Sequence, residues 1–443
     1  VKDFFMDQLD ILITNGTILT MDAQNRVIKN GTLGIQGDMI SHIGKGDNKG
    51  FQADKSIDAK GGLILPGLIN GHTHAAMSLF RGLADDLPLM DWLNNYIFPA
   101  ESRLDANAVY IGTLLACAEM ILSGTTTFCD MYLFEEEVAR ASKKAGMRSL
   151  VGEVLYDFDS PNYGPAENGL KYTENLIQAW KDDPLVSIAV EPHALFTCSP
   201  PLLTASYELA TRYDVPLIIH VAETQSEVDQ VKEKYGKHPV EHLQSLGILG
   251  PRLIADHCVH LREKEIRLLA ENQVKVIHNP ESNMKLASGI APVPELLANG
   301  VTVGLGTDGC ASNNNLDLFS EMDTAAKLHK IKTMDTTVMD ALTVLRMATI
   351  EGAKALGMED RVGSIERGKK ADIIILDTKK PHLTPLYHPV SHIVYAAKGS
   401  DVSHSVINGQ LVMEDRRLLT IDLQELIKKI REKSMDVKGW IKS

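Results

Sequence analysis

The chain has no block of lysine and arginine, no C-x-x-C pair, no apolar stretch long enough to span a bilayer and no internal repeat. Each absence removes a class of function. A phosphate backbone is held by clustered positive charge, so a formal net charge of -13 without a basic block argues against a nucleic-acid partner and favours a small neutral or zwitterionic ligand. The five cysteines (Cys117, Cys129, Cys198, Cys258 and Cys310) are an odd, widely spaced set. They indicate neither a disulfide framework nor a thiolate zinc site, and a reducing cytoplasm is the expected compartment. The opening "VKDFFMDQLDILITNG" lacks the basic, apolar, small-residue order of a signal peptide, and the apolar run near residues 63 to 69 is short and interrupted by Pro66. The expectation is a protein neither exported nor embedded in a membrane.

What is present is material for a large core: 443 residues, 44% hydrophobic and 23% charged, enough for one large domain plus a smaller one. Residues 1–61 read as short strands with turn punctuation, and Asn15-Gly16 between apolar alternations reads as a hairpin turn. Over 62–365 the rhythm changes to β-rich runs separated by helical stretches. The runs begin with "GLILPGLINGHTH", taken as one strand, and continue through "TTTFCDMY", "RSLVGEVLYD", "VSIAVEPHA", "PLIIHVAE", "RLIADHC", "VKVIHNP" and "VTVGLGTDG". Eight such units predict a parallel (β/α)8 barrel, a TIM-like α/β fold, with an open doubly wound sheet as the alternative. Residues 366–443 return to short strands and close on the helical tail "DLQELIKKIREKSMDVKGW". The two chain ends are therefore expected to pair into one small discontinuous β domain.

The polar residues decide between these architectures. His72 and His74, His193, His220, His257, His278 and Asp308 all fall at or just past the C-terminal ends of their strands, which in a barrel ring one mouth. His72 and His74 stand two apart on a strand and so face one side, able to reach one ion at about 2.0 to 2.1 Å. Read alone, the pair is equally a solvated strand end. His220 offers a third nitrogen, and Glu223, three residues on, a carboxyl group able to shuttle a proton to a ring nitrogen. Asp308 could complete the coordination and accept a proton from activated water, although Asp-Gly by itself means a turn. His257 either orients the attacking water or is a satisfied buried histidine. His260 is expected to be solvated on the next helix, and His278 to support its loop. "HPVEH", residues 238 to 242, matches a zinc-peptidase pattern but falls between the fifth and sixth strands, where an outer helical surface is expected.

Taken together, "LPGLINGHTH", "HVAET", the His-Cys after the sixth strand, "HNPESNMKL" and "GTDGCASNNNLD" resemble the amidohydrolase superfamily over nearly the whole chain. The closest likeness is to its 5-methylthioadenosine/S-adenosylhomocysteine deaminases. The resemblance implies that His72, His74, His220 and Asp308 hold one divalent ion, zinc foremost, with iron or manganese sharing the ligand set. It implies Glu223 as proton shuttle to purine N1, Asp308 as the group that deprotonates water for attack at C6, and His257 beside that water. Glu101 in "FPAESRL" and His193 in "EPHALFTCS" look like the family's contacts to the ribose hydroxyls. A second ion is not expected, because binuclear relatives place a lysine at the fourth strand end, where this chain has His193.

The implied activity is hydrolytic deamination of 5′-methylthioadenosine, S-adenosylhomocysteine or adenosine. Alternatives are a related aminohydrolase or chlorohydrolase acting on guanine, another purine or an s-triazine, or a metal-free scaffold built on the same barrel. The partner is a small molecule, and self-assembly stays open. One departure stands out: where relatives often carry an arginine after the third strand, this chain has Glu153. A carboxylate there would disfavour the homocysteine carboxylate and favour methylthioadenosine or adenosine. Residues 77–92, with Met77, Phe80, Met90 and Trp92, are expected either to lid the pocket or to pack their segment onto the barrel.

Overall fold

A computed structural model describes residues 7–46, 50–87 and 89–440. The first strands are β1 (Asp7–Leu19), β2 (Val27–Gln36), β3 (Met39–Lys45), β4 (Phe51–Asp58) and β5 (Leu63–Pro66). Nine strands follow: β6 (Leu68–Thr73), β7 (Thr125–Tyr132), β8 (Arg148–Leu155), β9 (Val186–Ile188), β10 (Glu191–Pro192), β11 (Leu217–Val221), β12 (Leu253–His257), β13 (Lys275–His278) and β14 (Val303–Leu305). The chain then adds β15 (Ile373–Leu376), β16 (Val402–Ile407), β17 (Gln410–Glu414) and β18 (Arg417–Leu418), and a helix over Leu423–Lys438.

Strands β6 to β14 pair in parallel and in chain order, β9 and β10 together forming the fourth stave. Single bridges, Val190 to Leu217 and Ala194 to His220, join the fourth stave to β11. The ring closes where the amide of Asp308 donates to the carbonyl of His72 at 3.0 Å. This is the eight-stave barrel expected from the sequence. Its staves are buried on both faces, which is why they read as unbroken apolar runs rather than alternations.

The two chain ends meet in one nine-stranded sheet, in the order β18-β17-β16-β15-β5-β1-β2-β3, with β4 on the other side of β1. Its separate core is built mostly from isoleucines, among them Ile13, Ile18, Ile35, Ile64 and Ile373, whose branched side chains suit a pleated, half-buried surface. Arg148, at the start of β8 and 1% exposed, ties this sheet to the floor of the barrel. Its Nε and Nη2 donate to Asp372 at 2.8 and 3.1 Å, and Nη2 also donates to the Asn408 side chain at 3.0 Å.

Two readings from the sequence are corrected here. "GLILPGLINGHTH" is two strands: β5 joins the terminal sheet, and β6 enters the barrel after Gly67. Asn15-Gly16 is not a hairpin turn. The strand runs through it as a bulge, with Asn15 at φ 59° and one extra residue between Ile13 and Gly16 relative to β2. The bulge lets β1 pair with β4 before it and with β5 after it. A Cβ at Gly16 would lie 2.5 Å from Ile64 Cδ1, so this approach needs glycine. Among the described residues no single helix is long and apolar enough to cross a membrane.

Candidate functional site

The C-terminal ends of the barrel staves present their polar residues to one cavity of about 800 Å3, counted with its open mouth. Several stave ends leave the strand through the left-handed region: Ala222 at φ 50°, His257 at 65°, Cys258 at 49° and Asp308 at 61°. Non-glycine residues there cost roughly 1 to 3 kcal/mol each, a cost seen mainly where side-chain aim matters. At all three of these turns the residue itself or a near neighbour (His220 and Glu223, His257, Asp308) faces the cavity.

His72, His74 and His220 form a group whose ligand atoms all lie within 4.8 Å of one another, and His72, His257 and Asp308 form a second, overlapping one. His72 Nε2 and His220 Nε2 are 3.2 Å apart, and His74 Nε2 lies 3.1 Å from Asp308 Oδ1. Tetrahedral ligands about 2.0 to 2.1 Å from an ion stand roughly 3.3 Å from each other, so the spacing fits one small cation.

The far side of each ring is already committed. A carbonyl only accepts, so His74 Nδ1 donates to the carbonyl of Met131 at 2.5 Å and His220 Nδ1 to that of His193 at 2.7 Å. His72 Nδ1 faces Asp256 Oδ2 at 3.0 Å. The Nε2 lone pairs are thereby turned to the common centre, the arrangement by which outer partners orient metal-binding histidines. Asp308 is held too: Oδ2 accepts from the Ser282 and Ser312 hydroxyls at 2.5 and 2.8 Å, and Oδ1 from the Gly309 amide at 2.8 Å.

Electrostatics agree with the geometry. Burial by itself would keep His72 neutral, but Asp256 and Asp308 outweigh it and push the imidazole up to about 10. Asp308 sits well below the usual carboxylate range despite its burial, because His72 and His74 face it. Two buried carboxylates among these rings call for positive charge at this point, which a divalent cation supplies.

The remaining expected residues lie around this cluster. His257 lines the cavity, with Nδ1 2.9 Å from Asn283 Oδ1. His193 lines it as well, with Nδ1 2.8 Å from Thr197 Oγ1. Glu101 reaches the wall from the short helix Phe98–Glu101, and burial pushes its carboxyl up to about 7. Glu223 lies on the loop after β11. That loop is pinned by Glu227, whose two carboxylate oxygens accept from the amides of Ala222 and Glu223 at 3.0 and 2.8 Å.

Other readings are corrected. Glu153 is not on the cavity wall. It is fully buried, its Oε2 accepts from the Glu135 amide at 2.9 Å, and burial pushes it up to about 7. The cavity is lined instead by Val154 and Tyr156, so the sequence argument from a repelling carboxylate loses its basis. Of residues 77–92, Met77 and Trp92 line the cavity, Phe80 is packed in the barrel core, and the Met90 side chain lies outside the described residues. His260 is not on the next helix; it precedes it, half-buried, with Nε2 2.7 Å from the Ser288 carbonyl. His278 pairs with His329, Nε2 to Nε2 at 3.1 Å. The "HPVEH" match sits on the outer helix Pro239–Ser245, where Glu241 pairs with Arg262 and Lys264.

Sequence reasoning missed Asp256, Glu227 and the aromatic rim of Phe98, Tyr156 and Phe158. Asp256 had a signal, standing directly before His257 in a quoted motif.

Comparison with known proteins places these features in context. Residues 63–412 match the model of the amidohydrolase family. The chain is 61% identical over 424 residues to a 5-methylthioadenosine/S-adenosylhomocysteine deaminase of Syntrophobacter fumaroxidans, covering 95% of this chain and 97% of the relative. It is 49% identical, with the same coverage, to a 5′-deoxyadenosine deaminase of Methanosarcina acetivorans. Among solved structures it matches an adenosine deaminase from Xanthomonas campestris with bound zinc, at TM-score 0.96 and 38% identity over 98% of this chain and 99% of that one.

Proposed function

The chain belongs to the amidohydrolase family, and on that premise we propose that it hydrolytically deaminates an adenosine-type nucleoside, releasing ammonia and the inosine analogue. The substrates in view are 5′-methylthioadenosine, 5′-deoxyadenosine, S-adenosylhomocysteine and adenosine, after the names of the relatives. One observation carries this reading: three histidine nitrogens and a carboxylate converge at one cavity that also holds Glu223.

His72, His74, His220 and Asp308 would hold one divalent ion, zinc in this reading, as in the zinc-bound relative. Such an ion, when bound, supplies Lewis acidity that brings the pKa of water to about 7. Asp308, fixed by two serine hydroxyls, is placed to take a proton from the attacking water. His257, with Nδ1 committed to Asn283 Oδ1, turns its other nitrogen to the attacking water and can orient it by accepting a hydrogen bond. Attack at C6 puts an electron pair on purine N1, and Glu223 protonates it there. Asp308 passes the water's proton to the amino group, the C6 hydroxyl returns a proton to Glu223, and the C6–N bond breaks with release of ammonia. Glu101 and His193, both on the cavity wall, are assigned to the ribose hydroxyls, as the family resemblance implies.

A cytoplasmic site of action is part of the proposal, supported by five buried, unpaired cysteines. The test is ammonia release by metal-replete protein from the four nucleosides, guanine and a triazine. Turnover of the nucleosides is expected; turnover of guanine or the triazine alone would overturn the assignment.

A further inference from the structure

The two ends of the cavity differ in character. Resting on the deaminase reading above, we infer that this chain selects nucleosides whose 5′ group is neutral and apolar, and acts poorly on a zwitterionic amino-acid substituent such as that of S-adenosylhomocysteine. With C6 at the histidine cluster and the ribose at Glu101 and His193, the 5′ group is the outermost part of the ligand.

That outer end is aromatic. Phe98 lies one helical turn before Glu101 and lines the cavity with Tyr156. Phe158 stacks on Tyr156 with ring centres 3.8 Å apart and planes within 8°, and its ring lies 6.3 Å from that of Phe98. Phe158 is 43% exposed, so the three rings form an arch at the mouth. A thioether or an alkyl group is well received by such rings.

Charge makes the selection. Among the described residues lining the cavity there is no lysine or arginine, whereas Glu101, Glu223 and Asp308 are all present. The cation nearest in sequence to a lining residue is Lys285, next to Leu286. It is committed to Asp85 Oδ1 at 2.6 Å and to the Asn314 side chain. Arg81 is likewise committed to Glu119. Between Tyr156 and Phe158 stands Asp157, whose carboxylate accepts from the Ser199 amide and hydroxyl and adds no cation to the rim. The ammonium of a homocysteine group brought here can meet a carboxylate, but its own carboxylate finds no cation. Leaving a charged group without a partner in a partly dehydrated site costs about 10- to 100-fold in affinity.

The test compares kcat/KM of the metal-replete enzyme for 5′-methylthioadenosine, 5′-(n-butylthio)adenosine and S-adenosylhomocysteine. The two alkylthio compounds should agree within about tenfold, with S-adenosylhomocysteine about 10- to 100-fold below them. Equal values for S-adenosylhomocysteine and methylthioadenosine would overturn the inference. So would a butylthio compound that falls with S-adenosylhomocysteine, because size rather than charge would then select. Loss of turnover on every nucleoside would instead overturn the deaminase reading itself. Phe158→Arg supplies the missing cation at the rim and should shift the ratio about tenfold toward S-adenosylhomocysteine. An unchanged ratio in a variant that still deaminates methylthioadenosine would also overturn the inference.

Discussion

Asp256 Oδ2 lies 3.0 Å from Nδ1 of His72, and both side chains are fully buried. Among the described residues neither oxygen of Asp256 has another hydrogen-bond partner. The carboxylate sets the ring's tautomer and orientation and adds negative charge behind a nitrogen that faces the metal cluster. Asp256→Asn should therefore fold but hold its metal about 10- to 100-fold less tightly. Metal content after dialysis against graded chelator measures this, and wild-type retention would remove the role.

Glu223 stands apart from the hydrogen bonds that hold the histidines and Asp308: its amide bonds Glu227, and its carboxyl lies in the cavity. Glu223→Gln should keep a full complement of metal and lose about 100- to 10,000-fold in kcat. Stopped-time ammonia assays beside metal analysis separate the two effects.

The buried Glu153 gives the protein a pH-dependent cost. Burial pushes its carboxyl up to about 7 in the folded state, above its ordinary value, so between about pH 4.5 and 7 the folded chain binds more protons than the unfolded one. Stability from this group is present at low pH and declines as pH rises through that window, by on the order of 3 kcal/mol. Glu153→Gln removes the decline. Its melting temperature should exceed that of the wild type above pH 7 and converge with it near pH 4.5; parallel curves would contradict this.

Arg148 and Asp372 join the barrel floor to the terminal sheet through a buried bidentate pair. Arg148→Ala leaves Asp372 buried without its cation and should cost about 3 to 5 kcal/mol, read as an earlier urea transition. A change within about 0.5 kcal/mol would show the pair to be dispensable.

The residues that carried these predictions were unequally visible in the sequence. His72, His74, His220 and Asp308 were legible because strand ends are marked by turns, and polar groups there stand out against buried apolar runs. Glu153 was misplaced for the converse reason. All eight residues of β8 are buried, so the strand shows no alternation to tell the cavity side, with Val154, from the side facing Glu135. Asn15-Gly16 was misread because a residue at positive φ serves a bulge as well as a turn. Only the later strands β4 and β5, which share β1 end to end, decide between them. The aromatic rim joins residues 98, 156 and 158 by tertiary packing alone, and no local pattern announces it.

The central claim is that one divalent cation in this cluster serves nucleoside deamination. The direct measurement strips the metal and adds zinc back in sub-stoichiometric steps, following ammonia release from 5′-methylthioadenosine at each step. Turnover should rise linearly and level off at one ion per chain. No turnover at full occupancy, or undiminished turnover in the stripped protein, would contradict the account.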